Sequence, residues 1–150
     1  MIKIGLKNLM MSVLSASLVV GVVLVGGCAG GETASQQTPT RIIEDVTSEE
    51  AFTLIQSNQD NPDFVILDVR TPQEVAGGYI AGAINLDFYS ETFRDELNRL
   101  DKDQTYLIYC RSGNRSGNAL KMMTELGFRE VYNISDGIIG WLAAGLPTVK

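Results

Sequence analysis

A chain of 150 residues has room for one domain and hardly for two. Its formal net charge of -6, without any basic cluster, argues against nucleic-acid binding. The sequence contains no histidine, which excludes Ser-His-Asp triads, Cys-His pairs and His-ligated zinc, and its 2 cysteines are too few for a four-cysteine metal site. We therefore predict no metal and no cofactor, and a chemistry that rests on few residues.

The amino terminus has the composition of an export signal. Residues 1–8 carry two lysines, and residues 9–25 form an uncharged apolar run. As a helix this run would span about 26 Å, slightly less than a hydrocarbon core of about 30 Å. A signal peptide therefore fits better than a stable membrane span, with an uncleaved signal anchor as the alternative.

The sequence VGGC at 25–28 resembles the cleavage site of a bacterial lipoprotein signal. This resemblance implies that residues 1–27 are a signal peptide and that Cys28 is lipidated. Residues 28–40 are mostly small and polar, which predicts a flexible tether. We expect an exported protein that the lipid anchors to the bacterial cell envelope, with its domain on the extracytoplasmic side.

Residues 41–150 alternate short β-rich runs with helical stretches, a pattern typical of an α/β fold in which helices cover both faces of a parallel sheet. Two Thr-x-x-Glu sequences, at 47–50 and 71–74, have the form of capping boxes and mark helix starts. The predicted elements are, in chain order, strand Arg41–Val46, a helix from Thr47 to about Gln56, strand Phe64–Leu67, a short helix from Thr71 to Gly77, strand Ala83–Leu86, helix Thr92–Leu100, strand Thr105–Cys110, a helix from Arg115 to about Leu126, strand Val131–Ile134 and helix Ile138–Ala144.

The sequence CRSGNRS at 110–116, called here the Cys110 loop, connects a predicted strand to a predicted helix. Ligands of open parallel sheets bind beyond the carboxyl ends of the strands. The loop can curl so that its backbone N–H groups point inward beside the helix N-terminus and form an anion nest. Because helix N-termini and nearby arginines lower the pKa of a thiol, we predict that Cys110 is a thiolate nucleophile that needs no histidine.

A buried structural thiol is the alternative for Cys110, but a packing cysteine does not require the sequence that follows it. Arg111 has an alternative too, as a solvated charge, whereas Arg115 at the helix start is the better candidate to face a ligand. The residues predicted to bind substrate are those of the loop after the cysteine: Arg111, Ser112, Gly113, Asn114, Arg115 and Ser116.

Three separated motifs resemble a single-domain rhodanese: LDVRTPQEVAGGYIAGAINL at 67–86, YCRSGNRS at 109–116 and DGIIGW at 136–141. The resemblance covers about residues 45–148 and implies a rhodanese-like five-stranded parallel sheet with helices on both faces. It also implies a thiosulfate sulfurtransferase in which Cys110 takes sulfane sulfur from a small anionic donor as a persulfide. The persulfide would pass its sulfur to a thiol, a protein or another thiophilic acceptor.

Two positions depart from that family. Tyr79 stands where members often have histidine, and Asp136 stands where they often have a second glycine. Asp68 and Arg70 lie at the end of another predicted strand, and they either support the Cys110 loop through an ion pair or hold only their own turn.

Two further side chains have structural interpretations. Glu74 is predicted to cap a helix and Trp141 to lie in the core.

Two other functions remain open. A cysteine-dependent phosphatase or arsenate reductase has five residues between cysteine and arginine, whereas Cys110 and Arg115 enclose four. A membrane-tethered persulfide carrier or binding module would use the same loop without turnover.

Overall fold

The computed structural model describes residues 40–150. The predicted signal peptide at 1–27 and the predicted lipidation site Cys28 lie outside the described residues. Within residues 40–150, every helix is too short or too polar to cross a membrane.

Five parallel strands form one sheet in the order β1-β5-β4-β2-β3. The elements are, in chain order, β1 (Ile42–Val46), α1 (Ser48–Ser57), β2 (Phe64–Asp68), α2 (Pro72–Val75), β3 (Ile84–Asn85), α3 (Phe93–Arg99), β4 (Thr105–Tyr109), α4 (Asn114–Leu126), β5 (Glu130–Ile134) and α5 (Gly137–Ala143). The predicted α/β class and the five-stranded parallel sheet are thereby confirmed.

The alternation of side chains along β4 divides the core into two layers. Tyr106 and Ile108 pack on one face of the sheet against α3 and α4, together with Cys110. Leu107 and Tyr109 pack on the other face with side chains of α1 and α5, among them Trp141, which is in the core as predicted. A strand buried on both faces requires the continuous apolar run that the sequence shows here.

Local sequence sets where several elements begin. Both predicted capping boxes are present, because the hydroxyls of Thr47 and Thr71 accept from the N3 backbone N–H while Glu50 and Glu74 accept in return. Most boundaries lie within a residue or two of the prediction. The edge strand β3 is one residue shorter than predicted at each end, since only two of its residues pair with β2.

Candidate active site

Cys110 lies directly after β4 at the carboxyl edge of the sheet, and only 1% of its surface is exposed. Its side chain belongs to the core layer that α4 covers. The hydroxyl of Ser116, in the first turn of α4, donates to the Sγ of Cys110 at 3.5 Å. The thiol is therefore held against the positive end of a helix rather than exposed to solvent.

Glycines allow the Cys110 loop to pack closely against the start of α5. Gly113 has φ +84°, and a Cβ there would overlap the backbone oxygen of Ser135. Gly137 has φ +61°, and a Cβ there would lie 2.7 Å from the carbonyl oxygen of Cys110. That carbonyl accepts the backbone N–H of Ile138 at 2.9 Å. Any side chain at either glycine would push the loop away from α5.

The surroundings of Cys110 favour its anion. Burial by itself raises the pKa of the thiol. Hydrogen bonds from the Ser116 hydroxyl and backbone N–H, and from the backbone N–H groups of Ser112 and Arg115, outweigh burial and leave the pKa of Cys110 below its ordinary value. The loop thus surrounds the sulfur with donors that favour the thiolate, and none of them is an imidazole.

Replacing Ser116 with alanine should make Cys110 less reactive at neutral pH. The change removes the hydroxyl that stabilises the thiolate, so the pKa of Cys110 rises and the thiolate fraction falls. We expect alkylation at pH 7 to slow by about three- to tenfold, as for loss of one weak hydrogen bond to a charged group. The pH dependence of iodoacetamide labelling measures this, and an unchanged midpoint would show that the backbone N–H groups suffice.

The two arginines of the Cys110 loop have different surroundings. Arg111 is exposed, and its guanidinium makes no hydrogen bond or ion pair within residues 40–150. Arg115 is instead bound by Glu74, since its Nη1 and Nη2 each donate to one carboxylate oxygen at 2.7 Å. The prediction that Arg115 faces a ligand stays a prediction, and the structure gives its guanidinium another partner.

The sequence missed this role of Glu74 and the position of Tyr89. Glu74 caps α2 as predicted, and the same carboxylate reaches across to α4. The ring of Tyr89 lies 5.4 Å from the guanidinium carbon of Arg115, within the range of a cation–π contact. The capping box was the only sequence signal for Glu74, and no sequence signal pointed to Tyr89.

Asp68 and Arg70 form a buried ion pair, with Nη2 and Oδ2 separated by 2.6 Å. Burial lowers the pKa of Arg70, but the Asp68 carboxylate raises it by more, so the guanidinium stays charged. Arg70 also donates to the carbonyl oxygens of Gly78 at 2.8 Å and Glu74 at 3.4 Å. The pair holds its own turn directly and is linked to the Cys110 loop through Glu74.

The two departures from the family pattern have local structural roles. The backbone of Tyr79 exchanges two hydrogen bonds of 2.9 Å with Val149. The carboxylate of Asp136 accepts from the hydroxyl of Ser48 at 2.8 Å, which ties the start of α5 to α1. Among the described residues, no group of three or more cysteines or carboxylates is placed to hold a metal ion.

Several known proteins have sequences similar to that of this chain. The family model described as a rhodanese-like domain matches residues 51–144. A sulfurtransferase of Allochromatium vinosum is 36% identical over 108 residues, which are 72% of this chain and 96% of that protein. The thiosulfate sulfurtransferase GlpE of Pseudomonas putida is 37% identical over 79 residues, which are 53% of this chain and 70% of that protein.

Solved structures agree with the sequence comparisons. The crystal structure of a rhodanese-related protein from Thermoplasma volcanium superposes with a TM-score of 0.59 at 29% identity, covering 71% of this chain and 97% of that one. The family match spans more than half of the chain and includes the Cys110 loop, the buried ion pair and Glu74. The chain therefore belongs to the rhodanese-like family.

Proposed function

We propose that this protein is a sulfurtransferase that moves sulfane sulfur from a small anionic donor such as thiosulfate to a thiophilic acceptor. The observation that carries the proposal is the Cys110 thiol, buried at the carboxyl edge of the sheet and surrounded by hydrogen-bond donors that favour its anion. The sulfurtransferase relatives support the same chemistry. A nest that stabilises a thiolate also stabilises the persulfide anion derived from it.

In the first step, the Cys110 thiolate attacks the outer sulfur of thiosulfate. The sulfur–sulfur bond of the donor breaks, sulfite leaves with the bonding electrons, and Cys110 becomes a persulfide anion. Arg111 follows Cys110 directly in the chain and is exposed, so its positive charge would attract the anionic donor and the departing anion.

In the second step, an acceptor nucleophile attacks the outer sulfur of the persulfide and regenerates the Cys110 thiolate. Cyanide would leave as thiocyanate, and a thiolate would leave as a persulfide. Neither step transfers a proton, so the reaction does not require a histidine as acid or base, and the sequence contains none.

Turnover distinguishes a transferase from a carrier that loads sulfur once. Incubation of the full chain with excess thiosulfate and cyanide should release many equivalents of thiocyanate per chain, with ping-pong kinetics. Release of one equivalent or less would refute turnover and leave a tethered persulfide carrier.

We further propose that the protein is exported and anchored to the cell envelope by a lipid on Cys28. The apolar run ending in VGGC supports this location. Expressed in a bacterium, the chain should partition with membranes, and Cys28→Ser should accumulate as an uncleaved precursor of larger mass. A mature chain that begins elsewhere and carries no lipid would contradict the proposal.

A further inference from the structure

We propose that Glu74 is a specificity-determining residue: it withholds Arg115 from the donor and leaves Arg111 as the cation that the donor meets. The inference rests on the proposed sulfur transfer, and it concerns how strongly the site prefers a dianionic donor over a monoanionic one. Because Glu74 neutralises Arg115, that preference is weaker than two free arginines would give.

The guanidinium of Arg115 has two partners, the Glu74 carboxylate and the Tyr89 ring. Glu74 binds the Nη1 and Nη2 edge through two hydrogen bonds of 2.7 Å, and Tyr89 lies at 5.4 Å. Only 12% of the Arg115 side chain is exposed. A donor anion would have to displace the Glu74 carboxylate to gain the same bidentate geometry.

Glu74 is itself held in place. Its Oε2 accepts the backbone N–H of Thr71 at 3.1 Å, and its backbone N–H donates to the Thr71 hydroxyl at 3.3 Å, which completes the capping box of α2. The carbonyl oxygen of Glu74 also accepts from Arg70, whose guanidinium is fixed by buried Asp68. The Glu74 carboxylate is therefore held by its contacts with Thr71 and does not depend on Arg115 for its position.

The side chains of Glu74 and Arg115 are both charged at any physiological pH. The hydrogen bonds from Arg115 lower the pKa of Glu74 to about 2. Those same bonds raise the pKa of Arg115. One negative charge thus offsets one positive charge beside Cys110, and the net positive charge that the loop presents to a donor is that of Arg111.

This net charge determines how strongly the site prefers a dianionic donor over a monoanionic one. Freeing Arg115 would add one unit of positive charge near the donor, and a dianion gains twice as much from that charge as a monoanion. At a distance of about 5–6 Å in a solvent-exposed mouth, the extra gain of the dianion corresponds to about three- to tenfold in kcat/KM.

Glu74→Gln tests the inference, because glutamine keeps a side-chain oxygen for the cap and removes the charge. Glu50→Gln is the matched control, since Glu50 occupies the same position in the capping box of α1 and forms no ion pair within residues 40–150. Each variant of the full chain is assayed for transfer from thiosulfate and from benzenethiosulfonate, which differ by one unit of charge and leave sulfite and benzenesulfinate respectively.

The ratio of kcat/KM for thiosulfate to kcat/KM for benzenethiosulfonate should rise about three- to tenfold in Glu74→Gln and stay unchanged in Glu50→Gln. The rise should shrink at high salt. Taking the ratio removes any general loss of activity from a loosened loop, because both donors react with the same thiolate. An unchanged or lower ratio would overturn the inference.

A second readout does not depend on turnover. Removing the Glu74 charge leaves Arg115 free to stabilise the thiolate, so the midpoint of the Cys110 alkylation profile should move to lower pH in Glu74→Gln alone. A midpoint that stays in place or moves up would also overturn the inference. If the parent chain forms no persulfide with either donor, the proposed sulfur transfer is refuted. If the parent chain reacts with both donors and the ratio is unchanged in Glu74→Gln, only the proposed role of Glu74 is refuted.

Discussion

Replacing Cys110 with serine should lower sulfur transfer by about a thousandfold or more, because a serine hydroxyl stays protonated near neutral pH and forms no persulfide. The fold should persist, since serine is slightly smaller than cysteine and the loop backbone is fixed by its own hydrogen bonds to α5. Thiocyanate production from thiosulfate and cyanide measures the activity, and circular dichroism measures the fold.

Cys28→Ser is the matched control, because Cys28 is the other cysteine in the sequence and has no part in the proposed transfer. Comparable thiocyanate production by Cys110→Ser and the parent chain would refute Cys110 as the persulfide-forming residue. Equal losses in both cysteine variants would point to a disulfide-exchange route instead.

Replacing Asp68 with asparagine should destabilise the domain by about 3 kcal/mol, the cost of leaving one member of a buried ion pair without its partner. Asp68 is 1% exposed and Arg70 is 5% exposed, so water cannot replace the lost carboxylate. In urea denaturation we expect a lower midpoint with an unchanged slope.

Glu125→Gln is the matched control for that substitution. Glu125 pairs with Arg94 at 3.2 Å, but the two side chains are 63% and 55% exposed, so the expected loss is below about 1 kcal/mol. Similar denaturation midpoints for Asp68→Asn and Glu125→Gln would show that the buried pair does not hold the turn that carries Glu74.

The sequence patterns were sufficient for the sheet and for the position of Cys110. The short run Thr105–Tyr109 is rich in β-branched and aromatic residues, which indicates a buried strand. The polar loop that follows such a strand in a parallel sheet lies at the carboxyl edge. The capping boxes at Thr47 and Thr71 set two helix starts because their hydrogen bonds are local. Interactions between residues close in the chain, such as these, can be predicted from the sequence.

Contacts between distant segments were not predictable in the same way. Arg115 and Glu74 are separated by 41 positions in the chain, and their pairing depends on how α2 packs beside the start of α4. The cation–π contact of Tyr89 with Arg115 depends in addition on the course of the loop between β3 and α3. Likewise, β propensity indicated a longer β3, but an edge strand extends only as far as its neighbour pairs with it.

The central claim is that Cys110 accepts a sulfur atom from a small anionic donor, and intact-mass measurement tests it most directly. The full chain is incubated with thiosulfate, freed of excess donor, and measured before and after treatment with cyanide. The account predicts a gain equal to one sulfur atom, located on Cys110 by peptide mapping, absent from Cys110→Ser and removed by cyanide. An unchanged mass, or an added sulfur that maps to Cys28, would contradict it.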